Sequence, residues 1–240
     1  TYGSTEALPI SSIDFKTLEA NCRHKTESGM GTCIGKPLES VEVSIINITD
    51  TPIEHWDDSL LVTPGNVGEI VLKGGIVSQS YYKNANANAL NKIKDGDQNR
   101  HRMGDLGLID EEGQLWFCGR KQHRVCTTET TLFSVQCEGI FNQHPDVFRS
   151  ALVGIGPKNR QTPVICIELE PSQREALNNT NNNSALTALK QSILDLGKAH
   201  ATTKDINTVL FHDAFPVDIR HNAKIGREEL ATWAQQEQIA

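Results

Sequence analysis

The hydrophobic pattern of this chain changes near its middle, and this change constrains the fold more than any other feature of the sequence. In the first half, apolar and β-branched residues form short runs bounded by Gly or Asp: VEVSIINI (41–48), GEIVLKG (68–74) and GQLWFCG (113–119). Such runs are typical of strands, and DEEGQ (110–114) is typical of a turn between two of them. The pattern predicts a β-rich region over about residues 30–120.

After residue 136 the pattern alternates between strands and helices. We predict strands for ALVGIG (151–156), PVICIELE (163–170) and INTVLFH (206–212), and helices for QCEGIFNQH (136–144), LTALKQSILDLGKAH (186–200) and REELATWAQQE (227–237). The Asn-rich run LNNTNNNS (177–184) has too few apolar residues to drive burial and is predicted to be an exposed loop. This alternation indicates a separate, small module of helices and strands.

The two patterns meet in GRKQHRV (119–125), which is polar and cationic. A segment of this composition suits a solvent-exposed hinge, so we predict two domains, residues 1–121 and 122–240, with Lys121 and Gln122 at the hinge. The fold class that follows is α/β (α+β), with a β-rich part followed by a small α+β domain.

Charge and composition narrow the possible partners. The formal net charge of -7 argues against nucleic acid, because binding to phosphates depends first on electrostatic attraction. No apolar run approaches the ~20 residues that cross a membrane, and no signal-peptide pattern is present. We therefore expect no transmembrane segment and a cytoplasmic location.

Cysteine and basic residues offer two further candidate sites. The 6 Cys residues show no CxxC spacing, which favours buried free thiols over a zinc site. Basic residues gather in RHNAKIGR (220–227), which includes Lys224 and Arg227. This cluster could hold a small anion or could be a solvated loop, and charge alone leaves both interpretations open.

The order of four motifs along the chain suggests a family. The motifs are YGSTE (2–6), GEIVLKGGIVSQSYYKN (68–84), HRMGDLGLIDEEGQLWFCGR (101–120) and HNAKIGREEL (221–230). Together they resemble motifs of the adenylate-forming superfamily, which includes acyl- and aryl-CoA synthetases, luciferases and peptide-synthetase adenylation domains. The resemblance implies that residues 1–121 are the end of the large N-terminal AMP-binding domain and that residues 122–240 are the C-terminal lid domain. It also implies ATP, AMP and Mg²⁺ as cofactors.

The resemblance assigns a role to each of these positions, and the chemistry of each side chain fits its role. Activation of a carboxylate by ATP brings two anions together, so the site needs cations and positioned donors around the phosphate. The implied roles are adenine stacking for Tyr2, close backbone approach for Gly3, phosphate binding for Thr5, Mg²⁺ binding for Glu6, ribose binding for Asp105 and Arg120, and charge neutralisation at the acyl-phosphate for Lys224.

Each of these residues also has a structural explanation. Thr5 and Glu6 could cap a helix, Asp105 could be a turn residue, and Arg120 and Lys224 could be surface charges. The order of the four motifs favours the functional interpretation. The superfamily's phosphate loop has no counterpart here, so we expect the chain to be about the last two-fifths of such an enzyme and to be inactive alone.

The segment QHRVCTTETTLFSVQCE (122–138) departs from the pattern of thioester-forming members. Glu138 matches that pattern, but Glu129 occupies the position of a loop Gly past which the pantetheine arm runs. A side chain with a negative charge there disfavours coenzyme A, unless the loop refolds around the same tunnel.

At finer grain, YGSTEALP, LWFCGRKQHRV and FPVDIRHNAKIGRE resemble the olefin β-lactone synthetases. This resemblance implies a long-chain 2-alkyl-3-hydroxy fatty acid as substrate, its adenylation, and closure to a β-lactone by its own 3-hydroxyl. Other enzymes of olefin biosynthesis are candidate partners. The alternatives are a long-chain acyl-CoA synthetase, a fatty acyl-AMP ligase and a non-catalytic partner-binding homologue.

Ring closure needs a base for the proton of the 3-hydroxyl. His101 and His123 lie beside motif residues and have suitable ordinary pKa values, so both are candidates. A structural or surface role is the more common one for such histidines and is the alternative for both.

Overall fold

The computed structural model describes residues 1–180, 183–218 and 221–238. The described residues divide into two compact units. The first consists of Thr1–Lys25 and Met30–Gln122, and the second of Thr26–Gly29 and the chain from His123 onward. Both units contain helices and strands, so the predicted α/β (α+β) class is confirmed. The assignment of the units to an AMP-binding domain and a lid stays a prediction.

The first unit is built on antiparallel strands. They are β1 (Tyr2–Ser4), β2 (Ala7–Ser12), β3 (Thr32–Cys33), β4 (Lys36–Pro37), β5 (Val41–Ile46), β6 (Gly68–Gly74), β7 (Lys92–Asp95), β8 (Gln98–Ile109) and β9 (Leu115–Arg120). The main sheet has the order β3-β9-β8-β6-β5, with β7 paired to β8, and a smaller sheet has the order β1-β2-β4. The three runs predicted as strands correspond to β5, β6 and β9.

Strand β6 is buried on both of its faces. Ile70 and Leu72 pack into one hydrophobic cluster, whereas Val71 packs into another with Ile46 and Ile93. Because neither face meets solvent, the sequence of β6 is a continuous apolar run instead of an alternating one. Burial of each such side chain contributes about 2 kcal/mol to folding.

The turn DEEGQ joins β8 to β9 and sets their register. Asp110 Oδ1 accepts hydrogen bonds from the backbone N–H of Glu112 at 3.0 Å and of Gln114 at 2.8 Å. Gly113 has a φ of 77°, which favours a residue without a side chain. The residues next to the turn pair in the register that it sets, and a bulge between Leu106 and Gly107 then shifts the pairing by one residue, which places Asp105 of β8 directly opposite Arg120 of β9.

Helices flank these strands. The chain is helical from Phe15 to Glu27, as α1 (Phe15–Thr17), a π-helical turn (Leu18–Cys22) and α2 (Arg23–Glu27), and again in α3 (Ala85–Asn91). Asp14 caps α1 by accepting a hydrogen bond from Thr17 N at 3.0 Å. Asn84 caps α3 in the same way through Ala87 N at 3.0 Å.

The second unit combines a central sheet, two hairpins and helices. Its strands are β10 (Val125–Cys126), β11 (Thr131–Leu132), β12 (Val147–Ile155), β13 (Thr162–Leu169), β14 (Val209–Phe211), β15 (Val217–Asp218) and β16 (His221–Ile225), and its helices are α4 (Ser134–Phe141), α5 (Pro171–Thr180), α6 (Asn183–Lys198) and α7 (Arg227–Glu237). Strand β13 pairs with β12 antiparallel and with β14 parallel.

Residues of β13 alternate between two hydrophobic clusters. Ile165 and Ile167 pack on one face with residues that include Ile193 of α6, whereas Val164 and Cys166 pack on the other face with residues that include Leu230 of α7. Both faces of the sheet are therefore covered by helices. This explains why PVICIELE is apolar throughout its central part.

The prediction of a loop over residues 177–184 is wrong at both ends of that run. Helix α5 extends to Thr180 and α6 begins at Asn183, while residues 181–182 lie outside the described residues. Leu177 and Leu189 pack against the same hydrophobic cluster, which stabilises helix on either side. Asparagine disfavours helix only weakly, so this packing decides the conformation.

Cysteine burial agrees with the sequence analysis. Cys22, Cys33, Cys118, Cys137 and Cys166 are buried free thiols, and Cys126 is half-buried. Among the described helices, none combines the length and the apolar character that a membrane span requires.

Candidate active site

The first motif forms a tight hairpin at the start of the first unit. Strand β1 pairs with β2, with Tyr2 opposite Ser11, and the connection carries Thr5 and Glu6. A Cβ atom added to Gly3 would lie 2.6 Å from Leu8 Cδ1 and 2.7 Å from Ala7 O. The hairpin therefore requires glycine at this position for its own packing, in addition to the ligand approach inferred from the sequence.

Tyr2 and Arg120 converge on the carboxylate of Asp105. The Tyr2 hydroxyl donates to Asp105 Oδ2 at 2.6 Å, and Arg120 Nη1 lies 2.8 Å from Oδ1. Burial raises the pKa of Asp105, although the hydrogen bond from Tyr2 and the charge of Arg120 act in the opposite direction. Burial and the neighbouring Asp105 also raise the pKa of Tyr2, which keeps its hydroxyl protonated as a donor.

Asp105 has one oxygen without a hydrogen bond. Among the described residues, Oδ1 is the buried side-chain polar atom that lacks a hydrogen-bond partner, because Arg120 approaches it as an ion pair outside hydrogen-bond geometry. Buried oxygens are nearly always satisfied, so an unsatisfied one marks a place where a ligand can donate. The Arg120 side chain is 49% exposed, so this ion pair lies at the surface of the first unit.

Glu6 is held by the segment that precedes α3. The Tyr81 hydroxyl donates to Glu6 Oε1 at 2.8 Å, and Ser78 N donates to Glu6 O at 2.8 Å. Burial acts to raise the pKa of Glu6, but hydrogen bonds from Tyr81 and Ser4 outweigh it and lower the pKa below its ordinary value. Glu6 is therefore ionised at neutral pH. Thr5, beside it, is exposed.

A single ionised carboxylate of this kind fits Mg²⁺ when a phosphate ligand accompanies the ion. No group of three or more His, Cys, Asp or Glu residues suited to a metal occurs among the described residues. Mg²⁺ in nucleotide sites commonly uses one or two carboxylates together with phosphate oxygens and waters. Glu6 meets that requirement, and a metal site formed by the described protein residues alone is not expected.

His101 lies beside this carboxylate and is buried. Its Nδ1 is 3.1 Å from Asn91 O, which indicates an N–H on that nitrogen. Burial, with a further contribution from Lys92, lowers the pKa of His101 to about 4. The imidazole is therefore neutral at physiological pH.

Tyr81 and Lys92 were not singled out by the sequence analysis. Tyr81 lies within the motif GEIVLKGGIVSQSYYKN, whose sequence indicates only the family pattern. Lys92 is buried at the start of β7, and its Nζ donates to Ser78 O and, at 3.0 Å, to Ser78 Oγ. The sequence shows that Lys92 follows a motif, but it does not show that Lys92 is buried or which residues it contacts.

Lys121 is tied to the sheet of the first unit. Its Nζ lies 2.9 Å from Glu69 Oε1 and 3.2 Å from Thr49 O. Glu69 is fully buried and also accepts from Arg102 Nη2 at 2.6 Å. Gln122, the second predicted hinge residue, is exposed and is the last residue of the first unit.

Lys224 belongs to the second unit and is exposed on β16, which forms a hairpin with β15. Three residues later, Arg227 forms a bidentate ion pair with Glu138 of α4. Of the basic cluster considered in the sequence analysis, Arg220 lies outside the described residues.

Glu129 and His123 are also in the second unit. Glu129 is exposed in the turn between β10 and β11, where its N–H donates to Thr127 Oγ1 at 3.1 Å. His123 Nε2 lies 3.8 Å from Glu228 Oε1.

Comparison with known proteins identifies relatives over nearly the whole chain. The olefin beta-lactone synthetase of Xanthomonas campestris is 44% identical over 99% of this chain, and that of Stenotrophomonas maltophilia is 42% identical over 98% of it. The chain spans 42% of the length of each of these relatives. No model of a known protein family matches the chain.

Solved structures share its fold. The o-succinylbenzoate CoA synthetase of Bacillus subtilis, in complex with its acyl-adenylate intermediate, matches with a TM-score of 0.67 and 24% identity over 95% of this chain and 40% of that one. The same synthetase in complex with ATP and a magnesium ion matches with a TM-score of 0.59 and 25% identity over 82% of this chain and 35% of that one. This chain belongs to the adenylate-forming superfamily, and the olefin β-lactone synthetases are among the relatives of this chain.

Proposed function

We propose that this chain is part of an enzyme that uses ATP to convert a fatty acid into an acyl-adenylate. The observation that carries the proposal is Asp105, a buried carboxylate with an unsatisfied oxygen. A vicinal diol such as the ribose of ATP can donate to that oxygen, and Arg120 can bind the same sugar. We use the term full-length enzyme for a protein that joins these 240 residues to a preceding part with the phosphate loop.

The remaining site residues act on the charge of the reaction. Thr5 donates to phosphate oxygens, Gly3 brings backbone close to the reacting carboxylate, and Tyr2 orients Asp105 while its ring borders the adenine. Glu6 would hold Mg²⁺, which when bound neutralises phosphate charge. Lys224 contributes a mobile positive charge at the acyl-phosphate.

The two units correspond, in this proposal, to the end of the AMP-binding domain and to the lid domain. The hinge lies at Lys121 and Gln122. The hydrogen bonds of Lys121 with Glu69 and Thr49 support this assignment, because they hold the chain in the first unit up to the residue before Gln122.

The second step of the proposed reaction is ring closure. The 3-hydroxyl oxygen of a long-chain 2-alkyl-3-hydroxy acid bonds to the acyl carbon, the bond from that carbon to the phosphate oxygen breaks, and AMP leaves. The hydroxyl proton passes to a base, for which His101 and His123 are the candidates. Because the nucleophile is part of the substrate, its proximity supplies much of the rate.

Coenzyme A is disfavoured as the acceptor. Glu129 places a carboxylate in an exposed turn where thioester-forming relatives have glycine, and that charge repels an anionic ligand. The proposed substrate is a small fatty acyl molecule, the candidate protein partners are other olefin-biosynthesis enzymes, and the proposed location is the cytoplasm.

The test is a product analysis with the full-length enzyme, ATP, Mg²⁺, a 2-alkyl-3-hydroxy fatty acid and coenzyme A. We expect β-lactone, AMP and pyrophosphate without thioester. Thioester as the main product would support the alternative of a long-chain acyl-CoA synthetase. Acyl-AMP that accumulates would support a fatty acyl-AMP ligase, and no release of pyrophosphate would support a non-catalytic homologue. The 240-residue chain alone is expected to release no pyrophosphate.

A further inference from the structure

Glu6 is anchored twice by one short segment, through its backbone and through its side chain. Ser78 N donates to the backbone carbonyl of Glu6, and the Tyr81 hydroxyl donates to Oε1, each at 2.8 Å. We propose that Tyr81 is a positioning residue that fixes the direction of the Glu6 carboxylate for a nucleotide-bound divalent cation. This inference rests on the proposed function, in which Glu6 holds that cation.

Tyr81 is itself held by hydrogen bonds of its backbone. Its backbone N–H donates to Asn88 Oδ1 at 2.6 Å, and Asn88 Nδ2 donates back to Tyr81 O at 3.0 Å. Asn88 lies on α3, a short helix that is capped by Asn84 and lies against β7 and β8. The hydroxyl of Tyr81 is therefore delivered to Glu6 by backbone that has two hydrogen bonds of its own.

The other side of the Tyr81 ring is also occupied. Lys92 Nζ lies 5.3 Å from the ring centroid, and the His101 ring meets it edge-on with centroids 6.3 Å apart. Lys92 also donates to the backbone carbonyl and hydroxyl of Ser78. The same buried cation thus holds both the residue that binds the Glu6 backbone and the ring that carries the donor.

A fixed donor on one carboxylate oxygen limits the orientations of the group. Binding of a cation to such a carboxylate therefore costs less side-chain entropy. Removal of a residue that supports a metal ligand typically changes the metal affinity by 10- to 100-fold. A role in packing alone would affect the stability of the fold and leave the affinity for the cation unchanged.

The neighbouring tyrosine provides a matched control. Tyr82 is 85% exposed and its ring contacts Lys83, away from Glu6. Tyr81→Phe and Tyr82→Phe remove the same hydroxyl from adjacent residues. The difference between the two variants therefore reports the hydrogen bond to Glu6.

The experiment measures Mn²⁺ binding to the full-length enzyme with a non-hydrolysable ATP analogue, through the electron paramagnetic resonance signal of free Mn²⁺. We expect Tyr81→Phe to weaken Mn²⁺ binding about tenfold, with unchanged binding of the metal-free analogue, and Tyr82→Phe to match the unaltered enzyme. Mn²⁺ affinity of Tyr81→Phe equal to that of the unaltered enzyme would overturn the inference.

Glu6→Gln separates this inference from the proposed function. If Glu6→Gln leaves Mn²⁺ binding unchanged, the metal role of Glu6 is wrong and the inference fails with it. If Glu6→Gln abolishes binding while Tyr81→Phe does not weaken it, only the inference fails. Should Tyr81→Phe not fold, Asn88→Ala tests the same support, and unchanged Mn²⁺ affinity in that variant would also overturn the inference.

Discussion

Arg227 and Glu138 form a bidentate ion pair, in which Nη1 lies 2.6 Å from Oε1 and Nη2 lies 2.9 Å from Oε2. Glu138 Oε1 also accepts a hydrogen bond from Leu152 N at 2.8 Å. The pair thereby joins the first turn of α7 to α4 and to the strand β12. Both residues belong to motifs that resemble those of catalytic segments, yet their contacts stabilise the packing of α7 and α4 against β12.

Replacement of Arg227 by Lys should destabilise the second unit. Lysine cannot make the bidentate contact, and a largely buried Glu138 would lose part of its charge compensation, which costs about 3 kcal/mol. Urea denaturation of the chain measures the loss as a lower midpoint. Lys198→Ala is the control, because the Lys198 side chain is half exposed and its ion pair with Asp195 is long, at 3.9 Å. An equal effect of both changes would contradict this prediction.

Arg102→Met should have a larger effect on the first unit than Lys121→Met. Arg102 is buried, pairs with Glu69 and donates to the backbone carbonyls of Thr49, Thr51 and Leu90. Its loss leaves the fully buried Glu69 with Lys121 as its ion-pair partner and removes the donor to the carbonyls of Thr51 and Leu90, which costs about 4 kcal/mol.

Lys121→Met leaves Glu69 paired with Arg102 and should cost about 1 kcal/mol. Urea midpoints of the two variants give the comparison, with Lys73→Met, at an ion pair with Asp95 whose side chains are 28% and 21% exposed, as a reference for a partly exposed pair. A smaller loss for Arg102→Met than for Lys121→Met would show that the buried carboxylate is held mainly from the hinge side.

Asp105→Asn in the full-length enzyme should weaken ATP use and spare the fold. The amide keeps an acceptor for Tyr2 but loses the charge that faces Arg120 and the ribose, and hydrogen bonds to charged groups are worth about 2 kcal/mol. We expect the KM for ATP to rise about 30-fold in a pyrophosphate-release assay, with little change in melting temperature. Asp97→Asn, in the exposed turn between β7 and β8, should have no effect; a KM for Asp105→Asn that equals the unaltered value would contradict the ribose role.

His101 should make the first unit sensitive to acid. Its pKa is about 4 in the folded chain, below the ordinary value of 6.5, so between these values the unfolded state binds a proton that the folded state does not. Stability is unaffected by this group above pH 6.5 and falls as the pH decreases from 6.5 towards 4, by about 2 kcal/mol at pH 5.

Thermal melts of the chain from pH 7 to pH 4.5 measure this effect. His101→Gln should flatten the decline, whereas His55→Gln, at a side chain that is 63% exposed, should leave it unchanged. A decline of the same steepness in His101→Gln would assign the acid sensitivity to other groups.

Local sequence patterns predicted the elements and some local contacts well. The strand runs, the DEEGQ turn and the helix of residues 186–200 follow from hydrophobic period and turn chemistry, which act over a few residues. The turn fixes the pairing of the residues next to it, but a bulge between Leu106 and Gly107 shifts the β8–β9 register, so the pairing of Asp105 with Arg120 does not follow from the turn alone.

Contacts between distant segments could not be predicted in this way. Tyr81 reaches Glu6 across 75 positions of sequence, and Arg102 reaches Glu69 across 33. Such pairs depend on which strands become neighbours, and periodicity carries no information about strand order. The prediction of a loop for the Asn-rich run is wrong for a related reason, since the packing of Leu177 and Leu189 on the core outweighs local composition.

The hydrogen bond between Tyr2 and Asp105 spans 103 positions, which has a kinetic consequence. Closing so long a loop costs more conformational entropy than forming the β1–β2 or the β8–β9 hairpin, so contacts of this range follow the local ones during folding. A chain that has formed only the YGSTE hairpin holds the phenol without its carboxylate partner. Recovery of the Tyr2–Asp105 contact during refolding would thus mark the completion of the first unit's tertiary structure, later than the appearance of its strands.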